Sequence, residues 1–439
     1  MADKDILNRL EDALKLAEKL GASGAAVGYG RSEQMDMSVR QNDGEFTPSR
    51  SVDEGMILQV FVGKRSAVTS ISTLKQDDLR DAVRAAVESA KFVTENEYVR
   101  LAEPSETAGA VVALDVYDST RPTIDDLRTG ALAVEKEALL NPQVTNSEGG
   151  SASWGESIRA MMTTNGFSGF YKRSNNSLSV SVIAGVGDGM VREGDYSSAI
   201  YRVDLRAASD IGAKAAFDAA RKLGAKQAVS GHYPVVFSPD IGPMIMREFL
   251  SAAAGQAIMR GQSFLHDKLG QQIFDSGITI IDDPLIDRGL GSRPFDGDGV
   301  PGKRLALVEN GVLKTWFMDI ESAGRIGMKT TGHAGGLSNV FIQAGTKTPV
   351  QLMADIKQGL YVTGLMGHSN TALTGDFSLG AEGFWIENGQ IAYPVNEITV
   401  AGKLEDMFMS LEAANDLDMR RSSATTPTLR IQSMSIGGS

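Results

Sequence analysis

The stretch SPDIGPMIMREFLSAAAGQAIMRGQSF, Ser238–Phe264, divides two kinds of sequence in this chain. It opens as a helix should. Ser238 offers a hydroxyl cap, and Pro239 suits a first helical position, where a missing N–H costs nothing and φ is already set. A start at Pro243, with Gly242 before it, is the alternative, because proline deep inside a helix is costly. From either start, Ile241, Ile245, Phe249 and Ala252 recur at the three-and-four spacing of a stripe buried against a core. Glu248 falls on or beside that stripe.

Upstream, helical and strand periods alternate. Ile6, Leu10, Ala13, Leu14 and Ala17 mark a first helix that ends near Gly21, a residue suited to a C-terminal cap. Met35, Met37 and Val39 alternate with polar residues as in a half-buried strand. Met56–Val62 and Ser66–Ser72 flank Gly63-Lys64 as a hairpin, and Leu79, Val83, Ala86, Val87 and Ala90 give a second helix. The order then repeats: a helix over Thr123–Leu140, strands over Ile158–Thr163, Phe167–Lys172 and Leu178–Ile183, and a helix over Ser209–Leu223. Leu101–Ala110 is the expected joint.

Downstream, short apolar runs are punctuated by Gly and Asn: Tyr233–Phe237, Ile278–Ile281, Leu305–Val308, Leu313–Met318, Val340–Ala344 and Gly383–Ile386. Such spacing points to an antiparallel sheet or partial barrel. Asn310-Gly311 and Asn388-Gly389 carry the strongest short-range hairpin signal, and Thr348-Pro349 opens a short helix over Val350–Gly359. The expectation is an α+β chain. Two helix-strands-helix units (1–104 and 105–228) form an N-terminal α/β region, and a mainly antiparallel β domain (229–439) carries the Ser238–Phe264 helix.

Composition narrows the function. The 439 residues contain 42% hydrophobic and 22% charged residues, as in globular proteins. A formal net charge of −12 argues against broad phosphate-backbone binding, which needs clustered Lys and Arg. No cysteine is present, no apolar signal core opens the chain, and no run nears the ~18 apolar residues of a membrane span. The expected place is the cytoplasm, with neither membrane nor direct nucleic-acid partner.

Local motifs are sparse. His232, His266, His333 and His368 include no ligand pair. Gly297, Gly299 and Gly302 spell GxGxxG, but no strand leads into them and a strand pattern follows, so they are turn residues. Asp282, Asp283, Asp287, Asp296 and Asp298 cluster in sequence without the spacing of a calcium loop and read as an acidic loop.

Several separated blocks agree in order with one family: the Ser238–Phe264 helix, SFLHDKLGQQIF (263–274), the 281–314 block IDDPLIDRGLGSRPFDGDGVPGKRLALVENGVLK, GHAGGLSNVFIQAG (332–345) and EGFWIENGQIAYPVNEITVAG (382–402). The chain resembles the TldD/PmbA family (peptidase U62-like), whose TldD-type subunit carries HExxxH on this helix. Aligned on the glutamate, the motif falls on Arg247, Glu248 and Ala252. Both histidines are gone. An arginine that stays cationic cannot ligate zinc, and alanine offers no lone pair. The cysteine ligand expected near the C-terminus of a TldD-type subunit is absent as well.

The resemblance therefore implies the PmbA/TldE-type subunit: no catalytic residue and no metal in this chain, with zinc in a TldD-type partner and an unfolded or extended peptide as substrate. A homodimer is possible when the chain is isolated. Some family members are labelled modulators of DNA gyrase. The loop His333, Gly335, Gly336 resembles a family-characteristic loop, and His368 with Asp376 lies in a second; both are substrate-cleft or interface candidates. The rival expectation is a self-sufficient homodimeric hydrolase with an unrecognised site around His333, His368, Asp376 and Glu248.

Overall fold

The computed structural model describes residues 3–40, 44–72, 75–107, 111–367 and 373–438. The first unit runs α1 (Asp3–Lys19), β1 (Gly24–Arg40), β2 (Glu45–Val62), β3 (Arg65–Ile71) and α2 (Gln76–Ala90). The second repeats it as α3 (Ile124–Ala138), β4 (Val144–Thr163), β5 (Ser168–Ala184), β6 (Val191–Ala199) and α4 (Ala208–Arg221). The strands of both join one six-stranded sheet in the order β3-β2-β1-β4-β5-β6. All its pairings are antiparallel, and the units meet where Glu33 of β1 lies opposite Glu156 of β4.

The alternation along β1 explains how one strand serves both units. Val27 and Tyr29 pack with Ile6, Leu10, Val83 and Val87 of α1 and α2. Further along the same face, Met35, Met37 and Val39 pack with Leu127, Val134 and Ile211 of α3 and α4. Glu33 sits between the two cores, 4% exposed and bonded by Arg31, Arg50 and Arg121. Burial pushes its carboxyl up, but the three guanidiniums outweigh that and hold it below the usual carboxylate range.

Two expected strands fuse. From Ser168 on, Phe167–Lys172 and Leu178–Ile183 belong to one continuous β5, and the buried polar side chains between them find an acceptor for their donors where they stand. Ser174 Oγ and Asn176 Nδ2 both donate to the Ile200 carbonyl at 2.9 Å, so the buried strand keeps its course. The joint is also firmer than its composition suggests. Ala102 packs on Val300 and Ile320, and Tyr98 stacks under Arg325. Residues 108–110 of the expected joint lie outside the described residues.

The C-terminal part continues with β7 (Gly231–Phe237), α5 (Gly242–Ala253), α6 (Gly255–Met259), β8 (Ile280–Asp282), β9 (Leu305–Glu309), β10 (Val312–Leu313), α7 (Ile320–Arg325), β11 (Val340–Ile342) and α8 (Pro349–Met353). It ends with β12 (Gln358–Met366), β13 (Asp376–Glu387), β14 (Gln390–Lys403), α9 (Leu404–Met409), β15 (Leu411–Ala413), β16 (Ala424–Thr425) and β17 (Leu429–Gly437). One sheet has the order β10-β9-β8-β11-β16 and the other β14-β13-β12-β7-β17-β15, with an added β14–β17 pairing that closes five of its strands into a barrel. Among the described strands, the β7–β12 and β11–β16 ladders are parallel and the other ladders antiparallel. Both Asn-Gly pairs turn hairpins, with Asn310 and Asn388 at φ 50 and Gly311 and Gly389 at φ 79 and 78.

Two expected elements shrink. Leu313–Met318 leaves the strand after Leu313, yet Trp316 and Met318 remain buried in the core. The helix expected over Val350–Gly359 stops at Met353. Its Thr348 cap and Gln351 form a capping box, but Gln358 already begins the strand that pairs with β13. Across this domain, α5 packs into the main core through Ile245, Phe249 and Ala252, with Phe249 edge-on to Phe274 at 5.2 Å.

Candidate functional site

Helix α5 begins at Gly242, the later of the two expected starts, with Pro243 in its first turn. Ser238 does not cap it through its hydroxyl. Its carbonyl instead accepts the N–H groups of Ile241 and Gly242 at 3.0 and 2.8 Å, in a turn that leads into the helix. Gly242 is needed where it stands, because a side chain there would run into the Thr426 hydroxyl.

The three aligned motif positions separate by face. Ala252 is 0% exposed in the core, and Glu248 is 5% exposed beside it. Arg247 points outward into a cleft of about 760 Å³. The cleft lies between β6 and α4 of the second unit and, from the C-terminal domain, the first turns of α5, Tyr361 and Thr363 of β12 and the segment from Asp416 to Thr426.

Its walls are laced with ion pairs. Arg421 binds Asp195 and Asp240, each at 2.7 Å, and lies 4.8 Å over the Tyr196 ring. Arg206 also reaches Asp195 at 2.6 Å. Burial works against the charge of Arg421, but Asp240 and Asp195 outweigh it and raise its pKa. On the α4 side, Lys214 bonds Asp218, and Lys222 bridges Glu193 and Glu382. Glu193 is pushed up by burial, which exceeds the opposing pull of Lys222. Tyr361 is pushed up by burial to about 12, so it is a neutral phenol throughout the physiological range.

Arg247 stands apart. Among the described residues it forms no hydrogen bond or ion pair. These residues do not fit zinc: a permanent cation and a fully buried methyl stand where imidazoles are required, and the chain has no cysteine. Among the described residues, no group of three or more His, Cys, Asp or Glu could hold a metal ion.

The other sequence candidates lie elsewhere. His333 is 6% exposed and does not line the cleft. Its Nε2 is 3.2 Å from Asp282 Oδ2, its Nδ1 is 2.9 Å from Thr331 Oγ1, and the second Asp282 oxygen accepts Ser338 N–H at 2.7 Å. Gly335 and Gly336 adopt φ 91 and 94 and turn the chain beside it. Asp376 is exposed at the start of β13 and paired with Lys403, whose hydrogen bond holds its carboxyl below the usual range. His368 lies outside the described residues.

The acidic residues also disperse. Asp282 serves the His333 network, Asp287 accepts Asp115 N–H, and Asp296 accepts N–H groups from Asp298, Val300 and Ala334. Gly297 and Gly299 sit in a turn and a bend, and Gly302 in the loop that follows, all before β9. The cleft residues that sequence missed, Asp240, Tyr361, Arg421 and Thr426 among them, come from separate segments with no shared spacing. The one cue was Arg247 itself.

Family models match almost the full length: the PmbA/TldA metallopeptidase domain 1 over 25–90, its central domain over 117–223 and its C-terminal domain over 230–438. The chain is 32% identical to a metalloprotease PmbA homolog of Haemophilus influenzae, covering 99% of this chain and 97% of that one. It is 31% identical to the metalloprotease PmbA of Escherichia coli O157:H7, covering 94% and 92%. A solved structure from Bacteroides thetaiotaomicron, whose name proposes it as a modulator of DNA gyrase, superposes with a TM-score of 0.93 at 30% identity over 100% of both chains. TldE of Thermococcus kodakarensis shares the fold, with a TM-score of 0.87 at 20% identity over 98% of this chain and 100% of that one.

Proposed function

The chain belongs to the PmbA/TldD metalloprotease family, and on that premise we propose that it is a non-catalytic partner subunit, pairing in the cytoplasm with a TldD-type metallopeptidase. Hydrolysis of unfolded or extended peptides takes place on the partner's zinc, and this chain supplies part of the chamber that receives them. The observation that carries the reading is Arg247 in the cleft, with Ala252 sealed in the core behind it. A zinc peptidase needs neutral or anionic ligands around one open metal position, and neither residue can contribute a lone pair.

The test is to purify the chain, measure its zinc, and assay an unfolded peptide before and after adding the TldD-type subunit from the same genome. Alone, the chain is expected to carry no stoichiometric zinc and cleave nothing. Together, the two are expected to co-elute at micromolar concentration and cleave in a chelator-sensitive manner. About one zinc per isolated chain, lost together with activity on chelation, would overturn the reading.

A further inference from the structure

We infer that the Arg247 cleft is a carboxylate-recognition site, which holds a peptide through its C-terminal carboxylate or an acidic side chain. That the ligand is a peptide rests on the function proposed above; that it is a carboxylate rests on the donors left unpaired in the cleft. Arg247 has no partner among the described residues. Arg221 Nε, Thr363 Oγ1 and Thr426 Oγ1 are buried without a hydrogen-bond partner, and all three residues line the same cleft.

Buried polar groups in native proteins are overwhelmingly paired with protein, water or ligand, so three orphans around one cleft, on both of its sides, point to a bound acceptor. Arginine Nε can only donate, and a threonine hydroxyl can donate. Their complement is an acceptor. Thr426 is 2% exposed and abuts the first residue of α5, so its hydroxyl belongs to a built wall.

The pairing of the lining cations narrows the kind of acceptor. The other lining cations already have carboxylates: Arg206 and Arg421 share Asp195, Lys214 and Arg221 share Asp218, and Lys222 has Glu193 and Glu382. Arg247 is therefore the lining cation left without a carboxylate among the described residues, in a cleft whose remaining carboxylates, Asp240, Asp416 and Asp418, keep its overall charge from being positive. That suits a single negative charge and disfavours a phosphate dianion. A carboxylate also matches the planar guanidinium fork with two parallel hydrogen bonds. In this reading the lost metal position has become an anchor.

The experiment is calorimetric titration of the full chain with three unlabelled decapeptides of neutral, unstructured sequence. One ends in a free carboxylate, one is its C-terminal amide, and one is an amide with a single internal Asp. The free acid or the Asp peptide is expected to bind about tenfold tighter than the plain amide, the scale of a charge-assisted hydrogen bond. Whichever of the two binds tighter identifies the carboxylate used. The preference should vanish in Arg247→Ala and return in part in Arg247→Lys, and inorganic phosphate at equal ionic strength should not compete. Equal binding of all three peptides, no binding of any, effective competition by phosphate, or a preference retained in Arg247→Ala overturns the inference. Pairing with the TldD-type subunit is read separately by gel filtration. A chain that pairs but shows no preference loses only this inference, and one that shows the preference but does not pair loses only the partner role.

Discussion

The cleft around Arg247, shared by the second unit and the C-terminal domain, and the loop around His333 are both polar, yet they are completed differently. In the loop, His333, Asp282, Thr331 and Ser338 satisfy one another out of water. At the cleft, Arg247 and three buried wall atoms lack partners among the described residues. A closed network spends its hydrogen bonds on holding the fold, whereas an open set keeps them for a ligand. A histidine beside an aspartate is therefore weaker evidence of chemistry here than an arginine without a partner among the described residues.

The largest effect expected from this contrast is on stability. Asp282→Ala strands the Ser338 N–H and the His333 ring without their acceptor and should cost about 3 kcal/mol. Arg247→Ala should stay within about 0.5 kcal/mol of the parent, because its side chain is exposed and unpaired among the described residues. Denaturant unfolding of both variants is the check. Equal losses would erase the distinction between a closed and an open region.

A middle-sized effect concerns the motif helix. Arg247→His combined with Ala252→His recreates both histidines around Glu248, but should yield no chelator-sensitive peptidase activity in the isolated chain. Positions five apart lie about 140° apart on an ideal helix, and here one faces the cleft while the other is 0% exposed. An imidazole at 252 overpacks the core and should destabilise the chain by about 1–3 kcal/mol. The third ligand is still missing, and missing support around the imidazoles typically weakens metal affinity by about 10 to 100-fold. Activity in a peptide-cleavage assay of the double variant would show a site nearly intact.

The smallest effect sharpens the contrast from within the closed region. Asp298 shares a loop with Asp296, whose carboxylate accepts the N–H of Ala334 next to His333. Burial, with the neighbouring Asp296 adding to it, pushes the Asp298 carboxyl up to about 7. A folded-state value above the ordinary carboxylate range means that the folded chain holds the proton longer than the unfolded chain does. The resulting stability is full below about pH 4 and is lost as pH rises through about 7. Asp298→Asn should flatten the melting temperature against pH across that window and raise it at pH 8. An unchanged slope would place the pH dependence elsewhere.

The candidates that sequence reading singled out fared unevenly for physical reasons. Arg247 and Ala252 were legible because a motif with fixed ligand chemistry shows its losses residue by residue. His333 looked available because four histidines among many glycines stand out, and nothing in one dimension shows that Asp282, 51 residues away, closes on it. The opposite wall of the cleft was invisible: Arg421 reaches Asp195 across 226 residues. No periodicity encodes a pairing of that range.

What the sequence determined by itself is whatever depends on neighbours along the chain. The two Asn-Gly hairpins follow from backbone φ preferences, the stripes of α1, α2 and α4 from helical period, and the Thr348 cap from a side chain bonding three residues on. The inability of residues 247 and 252 to bind zinc follows in the same way, from the atoms each side chain carries. Tertiary structure alone decided that the two helix-strands-helix units share one sheet across β1 and β4, that β14 meets β17 to close a barrel, and that Arg247 opens into a cleft while Ala252 is sealed behind it. Those outcomes depend on which surfaces find each other after the local elements form. That choice is made by buried area and hydrogen-bond satisfaction over the whole chain, and it leaves no short-range signature.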